Sequence, residues 1–266
     1  MSYENIRLAT DARGVATLTL ARPALMNAMS VAMMREIHDA LDRLHADPDV
    51  RVVVLTGEGE AFTSGGDINM FRAMGEAPLE ERLQGAFRGT MLGHRIARLP
   101  MPVVGRINGP AYGGGIGMAA ACDITIGVES CRFAFTEVRR GVAPVAAAAG
   151  VIARIGAAPY RRLLLTGRRF DAAEALRIGL LDEVVPAAGL DAAVARAVSD
   201  LLAGAPGAQI RMKRAIAEVE RNGPAADEAA GICAFAESWA SPEGREGAAA
   251  FLEKRRPAWD RSGDAG

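Results

Sequence analysis

The chain has 266 residues, half of them hydrophobic, with 32 acidic and 31 basic side chains and a formal net charge of −1. That length allows one large domain or two small ones, and the apolar share supports a sizeable core. Scattered basic residues argue against a nucleic-acid surface, the first residues carry no apolar signal region, and the apolar runs are too interrupted for a membrane span.

In chain order, Val15–Leu20 alternates and is β-branched, which predicts a strand ending at Arg22-Pro23. A loop over residues 24–28 follows, then a helix capped by Ser30 with Met34, Ile37, Leu41 and Leu44 on one face. Val50–Leu55 is nearly all apolar, as in a strand covered on both faces. Gly57 to Asp67 is a glycine-rich turn before a helix expected over Ile68–Met74, which Asp67 either caps or serves catalytically. Glu76 to Glu81, with Gly75 and Pro78 nearby, reads as an exposed mobile loop.

A helix is expected over Phe87–Leu99, stopped by Pro100 and Pro102. The apolar run Val103–Ile107 then leads into Asn108–Tyr112 and three glycines, Gly113 to Gly115, opening a buried Ala-rich helix. Short strands follow at Asp123–Val128 and Arg132–Phe135, then a loop to Pro144 and a helix over Val145–Ile155. Asp171-Ala-Ala-Glu174 resembles a capping box for a helix ending at Gly179, and Leu181–Val185 is the last strand. From about residue 189 the pattern is helical only; Ser241-Pro-Glu starts the final helix, which closes on a basic run at Lys254-Arg255-Arg256. Strands alternating with helices, then helices alone, indicate an α/β core over 1–195 and a helical part over 196–266.

Cys122, Cys131 and Cys233 lack metal-ligand spacing and leave one over in any disulfide scheme. They are expected to be buried thiols of a reducing compartment. His38, His45 and His94 are unclustered and suit solvated or capping roles.

The chemistry concentrates at the two glycine turns. Glycine lets a backbone amide approach a ligand closely, and the first amides of a helix have no internal partner. Two such turns, each after a strand, can give two amides to one oxygen, an arrangement suited to a thioester carbonyl becoming an enolate. A proton-transfer group is then needed. Glu137 is the best candidate, in a loop after a short strand and flanked by apolar residues that would raise its pKa.

The sequence resembles the enoyl-CoA hydratase/isomerase, or crotonase, family over nearly its whole length. The resemblance rests on Arg22-Pro-Ala-Leu-Met-Asn-Ala28, Ala61-Phe-Thr-Ser-Gly-Gly-Asp-Ile68, Pro102 through Gly115, Cys122-Asp123, Phe133-Ala-Phe-Thr-Glu137 with Gly141 and Pro144, and Leu165-Thr-Gly167 through Leu180. It implies a ββα-superhelix core with a helical C-terminal trimerisation part, an acyl-CoA substrate that needs no further cofactor and no metal, and a cytoplasmic homotrimer or homohexamer. By motif match, the amides of Gly66 and Gly114 form the oxyanion hole and Glu137 is the acid/base. Leu25, Met26, Ser64, Gly65, Asp67, Ile68, Gly113, Gly117 and Lys254 are the implied substrate and CoA contacts, Lys254 reaching phosphates of a neighbouring subunit.

One departure bears on the reaction. Hydratases of the two-glutamate type carry a Glu two residues after the glycine triplet, where this chain has Gly117. Reversible hydration of a 2,3-enoyl-CoA by one glutamate is the expected activity. Arg139 and Arg140 either take surface roles, the reading their residue type favours, or hold a second substrate carboxylate. An enoyl-CoA isomerase and a CoA-ester-binding protein with weak chemistry are the alternatives. A dinucleotide site at Gly115-Ile-Gly-Met-Ala-Ala120 fits G-x-G-x-x-A but lacks the tight strand-to-glycine turn.

Overall fold

The computed structural model describes residues 3–143, 148–223 and 225–263, with backbone alone over 225–230. Strands β1 (Ile6–Thr10), β2 (Val15–Leu20), β3 (Val52–Gly57), β4 (Val103–Ile107), β6 (Ile124–Val128) and β9 (Glu183–Val185) form one sheet in the order β1-β2-β3-β4-β6-β9. The β1–β2 pair is antiparallel and every later pair parallel. All six residues of β3 are buried, as a central parallel strand covered on both faces requires.

A smaller sheet, β5 (Ala111–Tyr112), β7 (Arg132–Ala134) and β8 (Phe170–Asp171), lies beside the first in chain order β5-β7-β8. The chain thus passes from large sheet to small sheet to helix and repeats. β4 and β5 lead to α4 (Gly114–Ala120), and β6 and β7 lead to α5 (Ala148–Ile155) and α6 (Ala157–Thr166). β8 leads to α7 (Ala172–Arg177) and so to β9. This repetition puts the strand-to-helix turns of successive units side by side.

Helix α1 (Val31–Ala46) begins where Ser30 accepts from the Met33 amide at 3.1 Å, and buries the expected Met34, Ile37, Leu41 and Leu44. Residues 76–81 do not form a loop. α2 (Ile68–Glu76) and α3 (Leu79–Ala97) are separated by Ala77 and Pro78 alone. Pro78 fixes its own φ and donates no amide, which suits a helix boundary, and Glu80 and Glu81 favour the first turn of α3 electrostatically. The same polar residues that suggest a loop are therefore a helix start. α3 extends the expected Phe87–Leu99 helix eight residues toward its N-terminus, 79 against 87.

The helix expected over Val145–Ile155 is observed from Ala148; Pro144 and residues 145–147 lie outside the described residues. Asp171 caps α7 by accepting from the Glu174 amide at 2.9 Å. The Glu174 carboxylate does not complete the box; it is taken by Arg162, Arg168 and Arg177. Cys122 and Cys131 are buried, but Cys233 on α10 (Ala225–Ala240) is exposed, contrary to expectation, because an Ala-rich helix gives no strong periodic clue to its covered face. His45 and His94 are exposed, whereas His38 is half-buried, with its ring against Arg95 and the Arg88 carbonyl.

Helix α8 (Leu190–Ala203) packs on β3, β4 and β6. α9 (Pro206–Asn222) is fastened to the core by Lys213, whose Nζ donates to Asp123 at 2.7 Å and to the Met101 carbonyl at 2.9 Å. Arg51, before β3, donates to the carbonyls of Gly204 and Trp259 at 2.9 and 3.0 Å. Among the described residues, no helix is long and apolar enough to cross a membrane.

Candidate active site

Three loops converge through backbone bridges. After β2, Pro23–Leu25 forms a single 3₁₀ turn, and Met26 and Asn27 take left-handed φ values of 49° and 55°. Asn is among the few residues that tolerate that region, and Asn27 is fully buried there. Its Oδ1 accepts from the Arg22 amide at 2.9 Å, and its Nδ2 donates to the carbonyls of Glu58 and Ala61 at 2.9 and 2.8 Å. The hydroxyl of buried Thr63 donates to the Asn27 carbonyl at 2.7 Å and accepts from the Gly65 amide at 3.1 Å. Asn27 and Thr63 are thus the frame of the first glycine turn, a role their positions in the sequence do not announce.

Gly65 has φ +89°, and a Cβ there would stand 2.8 Å from the Tyr112 carbonyl oxygen. Thr63 bridges Ala111, Met29 bridges Gly66, and a Cβ on Gly114 would meet the Met29 methyl at 2.9 Å. Both glycine turns therefore flank Met29. Among the described residues, neither the Gly66 nor the Gly114 amide donates to a protein acceptor, while the intervening Gly65, Asp67 and Gly113 amides do. Gly66 is half-buried and Gly114 exposed at the first turn of α4, so both amides are open to an outside acceptor.

Asp67 accepts from the Asn69 amide at 3.0 Å, the capping role, and pairs with Arg22 at 3.1 Å; Arg22 also donates to the Ala28 carbonyl. This ion pair locks the first loop to the second. Ser64 ties the same loops through the Met26 and Leu25 carbonyls, at 2.8 and 3.3 Å. Leu25, Met26 and Ile68 leave large apolar side chains exposed on these loops.

Glu137 comes from the third side, opening a 3₁₀ turn, Glu137–Arg140, after β7. It is 9% exposed. Its Oε1 lies against Gly113, where a Cβ would be only 2.1 Å away, and its Oε2 is buried with no hydrogen-bond partner among the described residues. Gly113 is held in place by its amide, which donates to the Ala134 carbonyl at 3.0 Å. Burial pushes the Glu137 carboxyl pKa up; its own backbone amide and the nearby Arg140 guanidinium oppose the rise.

The remaining expected residues divide. Gly117 is buried within α4 and brings no side chain; there its carbonyl faces Gly93 of α3, whose added Cβ would lie 3.3 Å away. Gly115–Ala120 belongs to the same short buried helix, and a Cβ on Gly115 would strike Thr63 at 2.3 Å, so Gly115 serves close packing. Arg139 and Arg140 are exposed and donate to the Thr166 carbonyl and the Thr136 hydroxyl. Lys254 ends α11 (Pro242–Glu253) in a left-handed conformation, and no described hydrogen bond or ion pair ties it to the glycine turns of its own chain.

Two amides without protein acceptors among the described residues, on turns that flank Met29, and a buried carboxylate against Gly113 are the groups that a carbonyl compound gaining or losing a proton would need. The comparisons with known proteins agree with that class. A model of the enoyl-CoA hydratase/isomerase family matches residues 10–262. The chain is 34% identical over 245 residues, 91% of its length and 96% of the relative's, to a Thermus thermophilus protein provisionally named an enoyl-CoA hydratase. It is 32% identical to the crotonyl-CoA hydratase of Syntrophomonas wolfei, covering 96% of this chain and 98% of that one. The crystal structure of an enoyl-CoA hydratase from Shewanella pealeana superposes with a TM-score of 0.92 at 27% identity, over 97% of each chain. The chain belongs to the enoyl-CoA hydratase/isomerase family and has the crotonase fold.

Proposed function

We propose that this chain reversibly hydrates 2,3-enoyl-CoA thioesters with one carboxylate. The Gly66 and Gly114 amides hold the thioester oxygen, which withdraws electrons from the β-carbon. Glu137 takes a proton from water as its oxygen bonds that carbon. Negative charge moves to the thioester oxygen, where one amide of this kind is worth about 2.7–4 kcal/mol. Glu137 then gives the proton to the α-carbon as the enolate collapses. Water thus supplies the hydroxyl at one carbon and the hydrogen at the other, and the carboxylate is regenerated. The reaction needs no cofactor beyond the thioester.

The observation that supports this reading is the buried Glu137 carboxylate, its Oε2 without a partner among the described residues and its Oε1 against Gly113, next to the unpaired Gly114 amide. Leu25, Met26, Ser64 to Ile68, Gly113 and Gly117 form the acyl-pantetheine path in this reading, with Lys254 of a neighbouring copy at the phosphates. Glu137→Gln keeps the shape and removes the base. Turnover of crotonyl-CoA is expected to fall roughly 10²–10⁴-fold with acyl-CoA binding little changed; wild-type turnover in this variant would remove Glu137 from the mechanism.

A second reading is favoured by Gly117, which leaves no second acid in α4. One base suffices to move a proton between two carbons of an enolate, so a 3-enoyl-CoA isomerase is the rival. Product analysis with crotonyl-CoA and 3-enoyl-CoA separates the two. We also place the protein in the cytoplasm as a homotrimer or homohexamer. Ile232, Phe235, Trp239, Phe251 and Leu252 leave large apolar surfaces uncovered in the C-terminal helices, which supports assembly.

A further inference from the structure

Tyr160 on α6 is 6% exposed, and its hydroxyl has no hydrogen-bond partner among the described residues. Its ring meets Phe135 edge-on, with centroids 5.7 Å apart and planes at 83°. Phe135 is itself buried and stands two residues before Glu137. The C-terminal end of α6 packs on the turn that carries Glu137: a Cβ on Gly167 would lie 2.9 Å from the Val138 side chain and 3.1 Å from the Phe135 carbonyl. A buried phenol on α6 and a buried carboxylate oxygen on the turn that α6 packs against are thus both unsatisfied among the described residues.

Buried polar atoms are nearly always hydrogen-bonded, and a water is the usual partner where no protein group serves. We infer that Tyr160 is a positioning residue for the hydration reaction, its hydroxyl and the free oxygen of Glu137 sharing the attacking water. This rests on the reading of Glu137 as the base. The nucleophilic water then gives one hydrogen to Glu137 and has its remaining orientation set by the phenol. Two anchors are what a water needs if one lone pair is to point at the β-carbon. In this chain the second anchor comes from α6, since position 117 in α4 carries no side chain. Phenol is neutral near pH 7 and can both donate and accept, so it orients water without competing for the proton. Burial raises the Glu137 pKa against the nearby Arg140 guanidinium, and burial and then the Glu137 charge raise that of Tyr160.

Tyr160→Phe tests the inference, because it keeps the ring on Phe135 and removes only the hydroxyl. With crotonyl-CoA, kcat is expected to fall roughly five- to tenfold, the worth of about one neutral hydrogen bond, with KM nearly unchanged. The ascending limb of the kcat/KM profile is expected to move to higher pH, since the ionised carboxylate loses a water-relayed donor. In a Glu137→Gln background the same change should cost nothing further, as groups acting on one water are not additive. Wild-type kcat and an unmoved pH limb in Tyr160→Phe, with Glu137→Gln inactive, would overturn the role of Tyr160 and leave the base in place. A lowered Tm with kcat and KM altered together would assign the hydroxyl to stability and overturn it also. Full activity in Glu137→Gln would instead remove the base on which the inference stands.

Discussion

Gly113 and Glu137 fit together at the backbone: the Glu137 Oε1 occupies the space in which any side chain at 113 would begin, 2.1 Å from an ideal Cβ. Gly113 also sits at φ 53° and ψ −119°, a region that L side chains avoid. Gly113→Ala therefore meets two penalties at once. The strained backbone alone costs about 1–3 kcal/mol, and the carboxylate must leave its seat. The expected result is a lower urea midpoint together with loss of nearly all turnover. A folded Gly113→Ala protein with wild-type kcat/KM would show that the carboxylate's seat is irrelevant to the chemistry.

The burial of Glu137 has a pH signature. A general base works ionised, so the ascending limb of kcat/KM should lie above the usual glutamate value of about 4.3. A pH–rate profile flat down to that value would count against a desolvated base.

The same shift acts on stability, with the opposite preference. The folded carboxyl holds its proton more tightly than the unfolded one. Its contribution is complete below the unfolded pKa and is lost as pH rises through the raised folded pKa. Glu137→Gln stays neutral throughout, so its Tm should gain on the wild type as pH rises above the unfolded glutamate value of about 4.3. Parallel Tm curves for the two proteins would contradict this.

Asp67 joins a helix cap to an ion pair. Asp67→Ala removes both, and loss of the cap alone costs about 1 kcal/mol, with a range of roughly 0.5–2. Asp67→Asn keeps the cap and should recover most of the loss. Urea unfolding of the two variants measures the difference. Equal destabilisation by both would give the energy to the Arg22 pair instead.

Much of this architecture was legible beforehand. The unbroken apolar run that becomes β3, the cap at Ser30 and the two glycine turns each state their structure locally, because strand burial, capping and left-handed backbone are near-neighbour effects. Strand β1 and helix α6 carry no clear local signal. Leu8 of β1 alternates with polar residues too weakly to stand out, and the Ala-Pro-Tyr start of α6 carries no side-chain cap. The roles of Asn27, Thr63 and Tyr160 depend on partners 31 to 36 residues away, or on a ring contact between elements, and no local pattern marks such partnerships.

Assembly is the most direct test of the C-terminal helices. A groove of about 550 Å³, lined by Trp239, Phe251, Leu252 and Trp259 among others, shares no residue with the glycine turns. Phe251 and Leu252 are 82% and 78% exposed in the single chain. Light scattering should report a trimer or hexamer, and Phe251→Asp should shift it toward smaller species. A wild-type monomer at micromolar concentration would leave this apolar surface without a covering copy.

Arg51 carries a consequence for how the chain is made. Its guanidinium, buried at the threshold of β3, takes one carbonyl from Gly204 and another from Trp259, 208 residues later. During synthesis the central strand emerges long before either acceptor, and a charged group cannot be buried early without a large penalty. A chain lacking Trp259 would hold every strand and both glycine turns, yet leave the Arg51 Nη1 without its carbonyl, beside an Nε that has no partner among the described residues.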